Sequence, residues 1–196
     1  MRPFFKSFIT ALLIAALPVG SIPTQAKYAE TAPGQSRVEP IDFVMPVLGP
    51  FAYTHFCLRY RQECRVQGRA FRRPRPVVLT RERLEDLSRI NREVNRAIAP
   101  RHYVDDKTFD TWRIAPRAGD CNDYAVTKRH ELLARGWPSR ALLLSEVVTT
   151  WGEHHLILVV RTDRGNLVLD NLTPQIRHWS RTNYAWVRMQ WPDQPS

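Results

Sequence analysis

Between His155 and Arg161 the chain reads Leu-Ile-Leu-Val-Val, and this run limits the fold more than any other feature. Residues so dense in Leu, Ile and Val predict a strand. The segment Thr162-Asp163-Arg164-Gly165 has turn composition, and Leu167 to Leu172 returns as a second strand. With a tight turn, paired residues have numbers adding to about 325–328, which sets His155 opposite about 170–173. Ala141 to Val148 gives another strand, and Tyr184 to Met189 adds an edge.

Helices come first. Thr80 caps one of them, and Leu84, Leu87, Ile90, Val94 and Ile98 recur at helical spacing until Pro100 stops it. A second helix is expected from near Asp120 to Gly136, just before Trp137-Pro138. Asp120 suits its N-cap, and Asp123 falls in the first turn, where the helix dipole favours negative charge. Ala125, Val126, Leu132 and Leu133 share a side with Cys121, so this helix should pack deeply. Residues 51–79 have no clean period and are expected to form an irregular cap. Residues 101–118, with Tyr103, Asp110, Trp112 and Pro116, read as a loop. Helices followed by an antiparallel run make an α+β domain without internal repeats.

The N-terminus speaks to compartment. Arg2 and Lys6 flank its start, and Phe8 to Ala16 is mostly apolar. Pro18, Gly20 and Pro23 break that run, and Thr24-Gln25-Ala26 offers small residues where a signal peptidase reads. The pattern is a secretory signal over 1–26, too short and interrupted for a comfortable membrane span, with an uncleaved anchor as the other reading. The expected organisation is a signal peptide at 1–26, an extended lead-in at 27–50 and one domain at 51–196. The protein is then periplasmic or secreted. Signal removal leaves about 170 residues, enough for a core, and lowers the formal net charge from +10 to about +8.

Arg outnumbers Lys 25 to 4, and seven arginines fall between Arg59 and Arg75. Such a stretch suits an acidic partner, a phosphate-rich surface or nucleic acid. Export argues against nucleic acid, and no DNA- or RNA-binding signature accompanies the charge. A solvated basic face is the simpler reading.

The three cysteines divide into two kinds. Cys57 and Cys64, in a short Arg-rich segment, can close a disulfide loop in an oxidising compartment. Two free thiols, or a metal site short of ligands, are the alternatives. Cys121 is left over as a candidate reactive thiol. A thiol nucleophile needs help to ionise, and a helix N-terminus and a nearby imidazole both give it. The helix-start N–H groups can also hold an oxyanion. Gly119 allows the close backbone approach such a turn requires. His154 and His155 open the apolar strand and point to opposite faces. The hairpin register brings Asp170 beside His155, where a carboxylate would orient the imidazole and stabilise its charged form.

Three blocks carry a family resemblance: Gly119-Asp120-Cys121-Asn122-Asp123-Tyr124-Ala125, His155 to Thr162, and Leu167-Val168-Leu169-Asp170-Asn171-Leu172. From about residue 80 to 190 the chain resembles the bacterial transglutaminase-like cysteine proteinases, with Asp110, Trp112 and Pro116 also matching. That likeness implies a papain-like fold in its transglutaminase variant, with N-terminal helices on an antiparallel sheet. It makes Cys121, His155 and Asp170 nucleophile, base and orienting acid. Characterised relatives are periplasmic proteases that clip surface adhesins and so control biofilm detachment, which implies a protein substrate in the cell envelope. The chemistry requires no cofactor. Calcium-dependent relatives are acidic on both sides of the nucleophile, whereas here Asn122 follows Cys121. Asn still offers an oxygen, but one ligand charge is lost and calcium affinity should fall.

Other residues have weaker roles. Trp112 either donates its indole N–H toward the oxyanion or simply packs, and Asp120 and Asn171 flank the nucleophile and the acid. His154 is a supporting, substrate-side or surface residue. Glu153-His154-His155 suggests zinc, yet adjacent strand residues point apart and no spaced third ligand follows. Two rival readings remain for the whole chain. One is transglutaminase-type transfer to an amine, and the other is a non-catalytic module binding an acidic envelope partner through the basic 59–75 region.

Overall fold

A computed structural model of the protein describes residues 51–65, 76–101 and 111–191. The signal peptide, the lead-in, Tyr103, Asp110 and four arginines of the basic run lie outside the described residues.

Helix α1, Phe51–Arg59, stands where an irregular segment was expected. Its order comes from burial of aromatic rings, since Tyr53 and Phe56 pack against Trp112 at 5.7 and 6.2 Å between ring centres. Isolated aromatics in a short Arg-rich segment leave little helical period to read. Cys57 and Cys64 form a disulfide with Cα atoms 5.6 Å apart, and it ties the end of α1 to the turn that follows.

Helix α2, Arg81–Ala97, begins where Thr80 accepts from the Arg83 N–H at 3.3 Å. Leu87, Ile90, Val94 and Ile98 are buried as their spacing predicts, while Leu84 lies exposed. The chain then forms a two-residue parallel ladder between β1, Ala99–Pro100, and β2, Ala118–Gly119. Helix α3, Cys121–Ala134, follows at once. Residues 123–129 are buried without a break, including Lys128 and Arg129, so α3 runs through the interior.

The sheet is antiparallel throughout, in the order β6-β5-β4-β3-β7. Its strands are β3, Leu142–Val148; β4, His154–Thr162; β5, Gly165–Leu169; β6, Arg177–His178; and β7, Ala185–Met189. The turn at 162–165 pairs Leu158 with Leu169 and Thr162 with Gly165, within the expected register. The expected edge strand is β7, and it joins β3.

Both faces of this sheet are covered, which explains the unbroken apolar run in β4. Leu156, Leu158 and Val160 join the core with α2 and α3, packing with Val94, Val126 and Leu132. Ile157 and Val159 turn to the other face, against Val147, Val168 and the partly buried Trp179 and Trp186. Alternation along a strand sends neighbours to opposite sides, so two packed faces require apolar residues at every position.

Candidate active site

Cys121 occupies the first position of α3 and is half-buried. Its setting is built by its neighbours. Asp120 Oδ1 accepts the N–H groups of Asn122 at 3.0 Å and Asp123 at 3.3 Å. Asp123 Oδ2 accepts the Asp120 N–H at 3.4 Å, completing a capping box. Asp123 also takes the Arg113 N–H at 2.7 Å and its guanidinium at 3.0 Å, which fastens the preceding loop. Burial pushes the Asp123 carboxyl up in pKa despite these partners. Gly119 is required because a Cβ there would stand 2.3 Å from Asp123 Oδ2. A thiol at this rigid helix start feels the positive end of the helix dipole, which favours thiolate.

The second half of the site lies at one end of the sheet, where β4 starts and β5 stops. His155 Nε2 lies 2.8 Å from Asp170 Oδ1, and both side chains are buried. Extended past its last pair, the β4–β5 ladder sets Asp170 across from Ile157, so His155 reaches it diagonally. Tyr184 donates its hydroxyl to Asp170 Oδ2 at 2.5 Å, and the Leu172 N–H reaches Oδ1 at 3.0 Å. Burial acts to raise the Asp170 pKa, but the bonds from His155, Tyr184 and Leu172 outweigh it and hold the carboxyl below its ordinary value. Tyr184 is pushed the other way, by burial and by its bond to that carboxylate. Its ring stands edge-on to His155 at 5.9 Å, fixing the imidazole plane.

Helix α2 connects the two halves. Asn95 Nδ2 donates to the Asp170 carbonyl at 2.9 Å, and Asn91 Nδ2 to those of Thr173 and Pro174 at 3.1 and 3.2 Å. Just beyond, Tyr124 of α3 donates its hydroxyl to the Ile98 carbonyl at 2.5 Å, and β1 pairs with β2 next to Cys121.

The remaining expected residues take plainer roles. Trp112 is buried among Tyr53 and Phe56, and its Nε1 has no partner among the described residues. It packs as a core ring. Asp120 is the helix cap. Asn171 is half-buried beside Asp170, with its Oδ1 unpartnered among the described residues. His154 is exposed and bonds Glu146 at 2.7 Å on the side of the strand away from His155. Glu146 also pairs with Arg188; burial would raise its pKa, but these two partners lower it.

Calcium would call on the oxygens of Asp120 and Asn122 on either side of the thiol. Asp120 Oδ1 already serves two helix N–H groups, and its Oδ2 receives the Asn122 amide at 3.4 Å. Calcium takes about six to eight oxygens, and no group of three or more His, Cys, Asp or Glu among the described residues could hold a metal. Among the described residues, Asp120 and Asn122 serve the helix start and do not by themselves make a calcium cage.

Sequence reasoning missed Tyr184, Asn91, Asn95 and Lys128. The asparagines left a signal, since polar residues four apart stood beside the apolar stripe of an amphipathic helix. Tyr184 left none, because its role depends on where β7 joins the sheet.

A thiol at a helix start, with a buried pair of His155 in β4 and Asp170 just past β5 of an antiparallel sheet, has the make-up of a cysteine peptidase. Residues 44–196 match the family described as bacterial transglutaminase-like cysteine proteinase, and the chain belongs to that family. Among solved structures it is similar to Legionella pneumophila LapG in the calcium-bound form, at 24% identity and a TM-score of 0.49, covering 54% of this chain and 64% of that one. The EGTA-treated form of LapG gives 25% identity and a TM-score of 0.48, covering 55% and 62%. The chain thus spans less than two thirds of the LapG chains it matches. It matches none of the curated proteins compared with it.

Proposed function

We propose that the protein is an exported, periplasmic protease that hydrolyses a peptide bond of a cell-envelope protein, of the surface-adhesin kind, through Cys121, His155 and Asp170. The observation that carries this reading is the buried His155–Asp170 pair, bonded through Nε2. That bond leaves Nδ1 as the ring atom to take the Cys121 proton. The thiolate then attacks the carbonyl carbon, and the oxyanion is held by the backbone N–H of residue 121. His155 returns the proton to the leaving amine as the C–N bond breaks, which leaves a thioester on Sγ. Water, deprotonated by His155, splits the thioester and restores the thiol.

Two further observations support this assembly. The Asn95 bond to Asp170 and the Tyr124 bond to Ile98 link the His–Asp end of the sheet to the start of α3 through one helix. Arg129, in the second half of α3, bonds the carbonyl of Leu142 at 3.3 Å, at the opposite end of β3 from Val147, the partner of His155. No helix among the described residues is long and apolar enough to cross a membrane.

The test is digestion of envelope extracts by the mature protein, followed by mass spectrometry. A discrete cleaved product is expected, falling by about 10³-fold or more in Cys121→Ser. An isopeptide cross-link in place of cleavage, or full activity in Cys121→Ser, would overturn the proposal.

A further inference from the structure

Three segments meet at the end of the sheet that carries His155 and Asp170: the β3–β4 turn, the stretch after Asp170 and the stretch before β7. They border an open pocket of about 290 Å³ whose walls include Trp151, Leu172, Arg177, Tyr184 and Asp170. We propose that this cavity is a substrate subsite that receives an acidic side chain of the peptide, with Arg177 as its charge partner. The proposal rests on the peptidase reading above and adds its substrate class.

Position comes first. Asp170 and Tyr184 belong both to this wall and to the His155 cluster. An extended peptide advances about 3.3–3.6 Å per residue, so a side chain seated here lies within a few residues of the bond beside His155. The volume sits at the low end of ligand sites, which run from about 300 to 1,000 Å³, and suits one or two side chains.

Charge decides what fits. Arg177 is the cation of the lining, and its side chain makes no hydrogen bond or ion pair among the described residues. Asp170 is the lining's acid, but both of its oxygens are committed, Oδ1 to His155 and Leu172 and Oδ2 to Tyr184. The hydrogen-bonding groups left open to a ligand's carboxylate are therefore those of the exposed Arg177 guanidinium. A carboxylate meets a guanidinium in two parallel hydrogen bonds, an arrangement a neutral amide cannot reproduce.

The rim supplies the rest. Trp151 is 59% exposed and Leu172 49%, large apolar side chains left in water beside a polar cavity. A peptide backbone crossing them would cover both and dry the Arg177 contact, which strengthens it. The net charge of about +8 left after signal removal steers an acidic chain toward the protein.

The test uses a set of synthetic peptides of one fixed Ala-rich sequence, identical except for Glu or Gln placed at each position in turn. Binding to full-length mature Cys121→Ala is read from tryptophan fluorescence, and KM and kcat from cleavage by the wild type. At one position the Glu peptide should bind about tenfold more tightly and show a correspondingly lower KM. Arg177→Gln should erase that preference, and Arg177→Lys should keep part of it. Equal binding of Glu and Gln peptides at every position, or a preference that survives Arg177→Gln, overturns the subsite. Preferential binding without cleavage would keep the subsite and sink the peptidase reading. Cleavage without preference would do the reverse.

Discussion

Asp170 accepts three side-chain or backbone donors in a buried setting, and the least conspicuous of them, Tyr184, controls two things at once. Its hydroxyl satisfies Oδ2, and its ring edge borders the imidazole. A hydrogen bond to a charged group contributes about 1.5–3 kcal/mol, so Tyr184→Phe should lower kcat/KM by about tenfold or more while the fold is kept. The loss should fall on kcat, because Asp170 would hold the imidazolium of the transition state less firmly. Steady-state kinetics on the identified substrate, with circular dichroism to confirm folding, checks this. A variant as active as wild type would show the bond to be structural ornament only. At this scale the sequence was informative about His155 and Asp170, because a hairpin with a tight turn transmits register from residue to residue. It was silent on Tyr184, because the approach of β7 to the far side of β3 is a tertiary event with no local signature.

Among the elements, α3 carries the most constraint. Its start is fixed by Asp120, Asp123 and Gly119, and its middle carries Lys128, 1% exposed with its ammonium 5.8 Å from the centre of the Tyr124 ring. Burial brings the Lys128 pKa down to about 7, against an opposing pull from Asp170. The unfolded chain has lysine near 10.4, so the folded state resists a proton that the unfolded state accepts. The resulting penalty is absent above about pH 10.4 and complete below about pH 7. Lys128→Met, of similar length and apolar, should therefore raise the urea midpoint near neutral pH and raise it much less near pH 10. An equal gain at both pH values would contradict the account. The helix itself was legible from Asp120 and from the Gly136 stop, whereas its full burial was not. Lys128 and Arg129 read as surface residues in any local window, and only the closing of α1 and the sheet around α3 buries them. Helix α1 was missed for the related reason that Tyr53 and Phe56 gain order from Trp112, far along the chain.

For the whole molecule, the two-sided sheet explains why the strands carry so little polar alternation. The α+β class was readable from helices preceding strands, and the structure agrees with it. The disulfide between Cys57 and Cys64 leaves Cys121 as the cysteine outside a disulfide, which makes its chemistry simple to assay. The most direct test of the account is therefore the alkylation rate of Cys121 by iodoacetamide against pH, in the mature protein and in His155→Ala. The account predicts an apparent thiol pKa well below the free value of about 8.5, and its return toward that value when the imidazole is removed. A slow thiol that titrates near 8.5 in both proteins would contradict the Cys121–His155 pair and, with it, the proposed protease.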